Sequence, residues 1–352
     1  MKKFFKNFFK VLGILLLVLV VAVGGLLGWL TVREYKPAPT EQLEAIQNSS
    51  QTPSGTSFTV LSHNVGYCAL GAESDFFMDG GTQTRPESAQ IVEKNLAGIR
   101  EELATLDPDF VFLQEVDTDS HRSFGVNEQV ELLDGTAWAA SYALNYSCDF
   151  VPVPLPPLGK VHSGLLTLSK YQLDSPERIA LPCPFSWPLS IANLKRCLLV
   201  NRVALEGGKE LVLVNLHLEA YDDGEGKIAQ TKQLVDFLNA EYEKGNYVIA
   251  GGDFNQVFPD TLRTYPNTHE ENWTPGVLEP MERGLAYAWD DSVPTCRLLN
   301  QPYDPADTVN TQYYVIDGFI VSANVTVDRV ETLDEGFAYA DHNPVLLTFT
   351  VD

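Results

Sequence analysis

Hydrophobic residues recur with two different periods after residue 57, which predicts a domain built from both strands and helices. Apolar residues recur near every 3.6 positions over 86–106 and 227–242, the spacing of an amphipathic helix. Short β-branched runs between turn residues predict strands at 58–64, 109–116, 164–169, 197–205, 210–218, 247–251, 313–321, 325–330 and 344–351. Strands mixed with helices indicate a layered α/β domain, and so many closely spaced strands suggest two sheets packed face to face.

The first thirty residues follow neither of these patterns. Residues 1–10 are basic, and residues 11–30 form an uncharged, almost wholly apolar run of twenty. At about 1.5 Å per residue, a helix of this length spans the roughly 30 Å hydrocarbon layer of a bilayer. The lysines keep residues 1–10 in the cytoplasm. We therefore predict a single-pass anchor in the cell membrane with the remainder of the chain extracellular.

Two other interpretations of the apolar run were weighed. A cleaved signal peptide would have a shorter apolar core and small residues at its cleavage site, and the sequence around Trp29–Arg33 is a poor match. A buried core helix is disfavoured because a helix that is apolar all round needs cover on every side. The anchor is favoured, while cleavage stays an alternative.

The segment 31–57 is rich in Gln, Ser, Thr and Pro beyond residue 36, and it predicts a flexible stalk or linker. From residue 58 to 352 no second linker and no internal repeat is evident, so we expect one catalytic domain. Five cysteines are too few for a disulfide scaffold and show no zinc-binding spacing.

The charge of the exported part restricts its partners. Residues 37–352 carry 18 lysines and arginines against 46 acidic residues, a formal charge of −28. Such a surface repels polyanions and offers little of the cationic charge that drives nucleic-acid binding. Nucleic acid is therefore disfavoured as a partner.

Acidic, amide and imidazole residues follow one predicted strand after another. Each alone is explained by a turn cap, but together they predict one site, because the strand ends at one sheet edge lie side by side. Asp317 adds an acid inside the apolar run 313–321. The strand-end residues are Asn64, Glu115, Asn215, His217, Asp253, Asn255, Asp341 and His342.

The order Asn64, Glu115, Asn215-x-His217, Asp253-x-Asn255, Asp317 and Asp341-His342 resembles the endonuclease/exonuclease/phosphatase superfamily, and the resemblance covers residues 58–351. It implies a four-layer α/β sandwich of two mixed β-sheets flanked by helices, here preceded by the transmembrane helix. The segment 163–170 resembles another family motif, with Lys170 where an arginine is usual.

The resemblance implies a metal site. Glu115 would be the principal carboxylate ligand of Mg²⁺, and Asn64 and Asp341 would complete the site. An oxygen-rich set of this kind suits Mg²⁺, Mn²⁺ or Ca²⁺ better than zinc.

The resemblance also implies catalytic roles. His217 would donate to a phosphoryl or leaving oxygen, and Asp253 would deprotonate the attacking water. Asn255 would hold the phosphate, and His342, oriented by Asp317, would stabilise charge on the phosphoryl oxygens. Asn215 and Arg196 are predicted to contact the substrate.

Three functions follow as hypotheses. The favoured one is a metal-dependent phosphodiesterase or phosphatase that acts outside the membrane on a lipid headgroup or a small phosphoester. The alternative is a membrane-anchored extracellular nuclease, which the negative charge disfavours. The third is a non-catalytic surface module that retains the fold. The sequence leaves the oligomeric state open.

Overall fold

The computed structural model of the chain describes residues 2–222, 224–281, 284–307 and 309–351. The helices of this part are α1 (Lys2–Val32), α2 (Ala89–Leu106), α3 (Glu128–Leu133), α4 (Glu225–Glu243) and α5 (Thr261–Thr264). Its strands are β1 (Thr40–Gln42), β2 (Ser57–Asn64), β3 (Phe110–Asp117), β4 (Ala139–Val151), β5 (Gly159–Ser169), β6 (Asp174–Ala180), β7 (Cys197–Ala204), β8 (Glu210–His217), β9 (Tyr247–Asp253), β10 (Gln256–Val257), β11 (Gly276–Val277), β12 (Leu285–Ala288), β13 (Cys296–Arg297), β14 (Tyr313–Tyr314), β15 (Asp317–Ser322), β16 (Val325–Thr332) and β17 (Val345–Val351).

Two large sheets organise the domain. One has the strand order β1-β6-β7-β8-β9-β15-β12, and the other has the order β16-β17-β2-β3-β5-β4. Each is mixed, because β8 pairs with β9 in parallel, β2 pairs with β3 in parallel, and their other pairings are antiparallel. The predicted pair of mixed sheets is confirmed.

The sheets pack face to face and each is covered by a helix on its outer side. Phe112 from β3 and Phe319 from β15 share the core between the sheets. On one outer face Leu96 of α2 packs among β2 and β3 side chains, and on the other Leu234 of α4 packs among those of β8 and β9. The layers are therefore helix, sheet, sheet and helix, as predicted.

The predicted strands differ from the structure both by omission and by one division. The pattern gave no sign of β4 or β6, although β4 is the partner of β5 along most of its length. The run 313–321 is not one strand: β14 pairs with β13 outside the large sheets, whereas β15 joins β9. Asp317 is consequently the first residue of a strand, with Asp253 as its register partner.

The segment predicted as a flexible stalk lies along the domain. Thr40–Gln42 pairs with β6 and extends the seven-stranded sheet at its edge, and Gln47 forms a bridge to Ala140. The free edge of β6 offers unpaired backbone groups, which this otherwise polar segment satisfies. The prediction of a flexible stalk is therefore corrected: the segment forms an edge strand and then follows an ordered path along the domain.

Helix α1 is long and apolar enough to cross a membrane, with a mean hydropathy of 2.9 over its most apolar window. That window is not buried by the rest of the chain. The end of the helix does contact the domain: Leu30 is buried in a cluster with Tyr146, Val151 and Ile191.

Candidate active site

The polar strand-end residues meet at one edge of the sandwich. The parallel strands β2 and β3 of one sheet, and β8 and β9 of the other, bring their carboxyl ends to this edge. The antiparallel strands β15 and β17 start there. His217 and Asp253 are register partners, and so are Asp253 and Asp317. Neighbouring strands lie about 4.8 Å apart, which places these side chains within reach of one another.

Asp253 lies at the centre of the cluster. Its Oδ1 accepts from the backbone N–H of Asn255 at 2.8 Å, and its Oδ2 accepts from Asn64 Nδ2 at 3.0 Å. His217 Nε2 lies 3.4 Å from Oδ2, and His342 Nε2 lies 3.9 Å from it. Burial, together with the negative charge of Asp317, raises the pKa of the Asp253 carboxyl to about 7. Asp253 can therefore exchange a proton near neutral pH.

Glu115 reaches the cluster because β3 is irregular at this point. The register of β3 against β5 shifts between Leu113 and Val116, and Glu115 has a φ of 56°. A bulge of this kind turns a side chain out of its normal alternation and is common beside active sites. Glu115 Oε1 accepts from Asn64 Nδ2 at 3.3 Å and lies 4.0 Å from His217 Nε2.

The two histidines of the site are in opposite charge environments. Burial and the nearby Arg196 cation lower the pKa of His217 well below its usual value, so its ring is neutral. His342 is also buried, but its Nδ1 is 2.8 Å from Asp317 Oδ2, and that carboxylate raises the pKa of His342 well above normal. One site thus holds a neutral imidazole and an imidazolium, an arrangement that separates two catalytic tasks.

The carboxylates fit a hard divalent cation. Asp341 Oδ1 is buried and has no hydrogen-bond partner among the described residues. Burial and the charge of Glu115 raise the pKa of Asp341 to about 7 against the opposing charge of His342, and a divalent cation bound at this carboxyl would favour its ionised form. The Cβ of an alanine at position 66 would lie 2.8 Å from Asp341 Oδ1, so Gly66 keeps the approach to this oxygen free.

Two other groupings place ligand atoms close together, Asp253 with Asp317 and His342, and Cys296 with Asp341 and His342. The first is occupied by the hydrogen bond between Asp317 and His342. In the second, burial raises the pKa of the Cys296 thiol to about 12, which keeps it protonated and a poor ligand. The role of Glu115 and Asp341 as the metal ligands stays a prediction.

Asn215, predicted to contact the substrate, has a different place. It is fully buried between the sheets, where its Nδ2 donates to the carbonyls of Leu113 and Leu166 and its Oδ1 accepts from Gln114. All three of these hydrogen bonds join one β-sheet to the other. The substrate-binding prediction for Asn215 is therefore corrected to a structural tie between them.

Arg196 lies behind His217, and Asn255 follows the central aspartate. Arg196 is buried, with its guanidinium donating to the His217 carbonyl at 3.2 Å and to Glu219 at 3.3 Å. Asn255 donates through Nδ2 to the Leu218 carbonyl at 2.9 Å. Both residues line the same cavity as the cluster, where a substrate role for each stays a prediction.

A buried arginine near the site was missed by the sequence analysis. Arg122 forms an ion pair with Asp117 at 2.9 Å, and its guanidinium lies 3.6 Å from the centre of the Tyr67 ring. Arg122 and Tyr67 line the cavity beside Glu115. The sequence places Arg122 in a polar loop with no periodic signal, so only the fold reveals its position.

The cluster lies in a cavity of about 530 Å³. Glu115, His217, Asp253, Asp341 and His342 form its polar end. Its remaining wall is largely apolar and reaches Leu27 and Leu30 of α1.

Comparison with known families decides the assignment of this site. Residues 61–342 match the model of the Endonuclease/Exonuclease/phosphatase family, a stretch that spans most of the domain and all of the site residues. The chain belongs to this family. Among curated proteins, none matches the chain.

Solved structures share the fold of this endonuclease/exonuclease/phosphatase protein. A family member from Beutenbergia cavernae is 18% identical, with a TM-score of 0.55 over 84% of this chain and 72% of that one. ANGEL2, a 2′,3′-cyclic phosphatase, is 15% identical, with a TM-score of 0.55 over 88% of this chain and 99% of its own. Truncated TDP2 from Caenorhabditis elegans is 17% identical, with a TM-score of 0.51 over 84% and 98% of the two chains.

Membership of the family assigns this protein to the metal-dependent hydrolases of phosphoester bonds. Divalent metals serve the family generally, and the described residues include candidate metal-binding groups. The long apolar helix α1 is a feature of this chain in addition to the family domain, which the match places at 61–342.

Proposed function

We propose that this protein is a phosphodiesterase or phosphatase that acts outside the membrane on a lipid headgroup or a small phosphoester. One observation carries the proposal. The Asp253 carboxyl has a pKa of about 7, and the neutral imidazole of His217 and the cationic imidazole of His342 place their Nε2 atoms 3.4 and 3.9 Å from its Oδ2. Hydrolysis of a phosphoester needs an aligned water and donors for the phosphoryl oxygens, and these groups match those tasks.

Asp253 is the group that accepts the proton of the attacking water. Its two oxygens are held by Asn255 and Asn64, so the carboxylate has one orientation. A base with a pKa near 7 is about half ionised at neutral pH, and its ionised form is basic enough to accept a proton. Neutral His217, 3.4 Å away, can donate from Nε2 to a phosphoryl oxygen or to the leaving oxygen.

His342 supplies positive charge where negative charge develops. Its Nδ1–H donates to Asp317, which fixes the orientation of the ring and leaves Nε2–H directed toward Asp253 and Asp341, each 3.9 Å away. A divalent cation held by Glu115 and Asp341, when bound, neutralises charge on the phosphoryl group. Asn64 links Glu115 to Asp253 and so couples the position of the metal ligand to that of the base.

The test is an activity screen of the full chain in detergent with Mg²⁺, Mn²⁺ or Ca²⁺ on bis-p-nitrophenyl phosphate, plasmid DNA and phospholipids. Activity should vanish with EDTA and return with added metal, and Glu115→Gln should raise the metal concentration needed for half-maximal rate. The Glu101→Gln variant, which changes an exposed acid of α2, is the matched control and should behave as wild type. Undiminished turnover in EDTA contradicts the mechanism, and cleavage confined to DNA favours the nuclease alternative.

A further inference from the structure

The cavity of the site continues into an apolar groove that ends on the membrane helix. Beyond the catalytic groups its wall includes Val151, Leu158 and Ile191, which pack in one cluster with Leu30 of α1. Leu27 of the same helix lines the far end. An apolar wall contributes little to the binding of a soluble phosphoester. It favours the binding of an acyl chain, because burial of apolar surface stabilises the complex.

The end of α1 is fixed to the rim of this groove. Trp187 Nε1 donates to Thr31 Oγ1 at 3.1 Å, and Lys195 Nζ lies 3.0 Å from Glu34 Oε1, which also accepts from Ser190 at 3.2 Å. Arg33 pairs with Asp149 at the end of β4. These contacts hold the groove at the level where a spanning α1 leaves the hydrocarbon layer.

Exposed apolar residues surround the same rim. Val153, Leu155, Trp187 and Leu189 are between 59% and 89% exposed, and they belong to the two loops that flank the end of α1. Single exposed apolar residues are ordinary, but a group beside a membrane helix indicates contact with the bilayer. Tryptophan is the residue enriched at the membrane–water interface.

We infer that the substrate is a phospholipid taken directly from the bilayer, with its phosphate among the catalytic groups and an acyl chain in the groove. This inference rests on the proposed function and adds its substrate class. Water forms the new bond to phosphorus, a P–O ester bond breaks, and the leaving oxygen takes a proton. A phosphodiester lipid thus gives a phosphomonoester and an alcohol.

Chain length tests the groove without any membrane. The full chain in detergent should be assayed on monomeric phosphatidylcholine, phosphatidylglycerol and sphingomyelin analogues with short acyl chains of increasing length. For the headgroup that is cleaved, kcat/KM should rise about tenfold for each two carbons added to the acyl chain that enters the groove. This factor follows from the free energy of burying two methylene groups. A kcat/KM independent of chain length overturns the inference.

Variants of the rim test the placement of the lipid. Val153 and Leu189 both line the groove and are mostly exposed, so the Val153→Asp and Leu189→Asp variants should still fold. With the full chain in vesicles, each should lower lipid hydrolysis at least about tenfold and leave turnover of bis-p-nitrophenyl phosphate unchanged. The matched control is Val130→Asp, which introduces the same charge at an exposed valine of α3 and should change neither activity.

The outcomes separate this inference from the proposed function. Turnover of bis-p-nitrophenyl phosphate with no turnover of any phospholipid overturns the lipid inference alone. Unchanged lipid hydrolysis in both rim variants, or equal losses on both substrates, also overturns it. The absence of all phosphoester turnover with every metal overturns the proposed function itself.

Discussion

At the scale of single residues, three side chains of the site surround one oxygen atom, Asp253 Oδ2. Asn64 donates to Asp253 Oδ2, and His217 Nε2 and His342 Nε2 lie 3.4 and 3.9 Å from the same atom. In the proposed mechanism this oxygen accepts the proton, and the three groups around it act in a single transition state. Their contributions to the rate therefore depend on each other.

Substitution of these groups should reveal that dependence. Asp253→Asn, His217→Ala and His342→Ala should each lower kcat by roughly 10²-fold or more, because general-base and oxyanion contributions are of that order. Double variants should lose far less than the product of the single losses. Single-turnover assays on bis-p-nitrophenyl phosphate measure this, with circular dichroism as the folding control. Near wild-type kcat in the folded histidine variants would contradict their assigned roles.

Asp317 is a positioning residue, and its effect should be smaller. Asp317→Asn removes the charge that raises the pKa of His342 but leaves an amide oxygen able to accept from Nδ1. We expect a milder loss of kcat than in His342→Ala, together with a lower His342 pKa, because burial then opposes the charged ring without compensation. An NMR titration of the imidazole reports this directly. An unchanged His342 pKa would show that Asp317 does not set its charge.

At the scale of elements, the end of β9 is formed by Gly251, Gly252 and Asp253, and it packs tightly against its neighbours. An added Cβ at position 252 would lie 1.9 Å from the carbonyl oxygen of Leu216, and Gly252 has a φ of 148°, a backbone conformation that favours glycine. Leu216 and Gly252 are register partners, one position before His217 and Asp253. The close approach of β8 and β9 thus sets the spacing of His217 and Asp253.

Gly252→Ala should therefore weaken both the fold and the site. We expect a loss of unfolding free energy on the order of 2–4 kcal/mol, because a backbone atom cannot move aside as a flexible side chain can. Thermal unfolding in detergent and kcat measure the two effects. The control is Gly55→Ala, where nothing lies within 4 Å of the added Cβ, and its stability should stay within about 0.5 kcal/mol of wild type. Equal stability of the two variants would contradict the strain at position 252.

At the scale of the whole molecule, the apolar helix α1 and the catalytic domain are connected through the rim of the site. Most of α1 exposes apolar side chains that the domain does not cover, whereas Leu30 is buried against it. A bilayer around α1 would cover that exposed surface. The domain would then be held at the membrane with a fixed orientation, which is the arrangement that a substrate within the bilayer requires.

The predicted orientation across the membrane is tested with cysteine labelling. All five cysteines are free and lie in the described part of the chain, and of these only Cys183 is exposed. A membrane-impermeant maleimide should label intact cells that express the wild type, because the lysines at the N-terminus predict a domain outside the membrane. Labelling should disappear in Cys183→Ser. Labelling that requires lysis of the cells would place the domain on the cytoplasmic side.

Much of the fold was predictable where burial repeats with a fixed period. Helix α2 has one apolar face, and strands such as β2 and β9 are buried almost throughout, so the local sequence predicts these elements. In β4 buried and half-exposed residues occur irregularly, and its identity as a strand depends on pairing with β5. The edge strand β1 is polar and exists because β6 has a free edge.

The sequence by itself determines the residue types of the site and the apolar segment long enough to span a membrane. Both are local features: acids, amides and imidazoles at strand ends, and an uncharged run of twenty residues. Their roles required the three-dimensional arrangement. Asn215 looks like a site residue in the sequence, yet its side chain lies between the sheets. His217, two residues further along β8, lies in the cavity. The groove from Asp253 to Leu27 joins segments more than two hundred residues apart, and only packing brings such distant segments together.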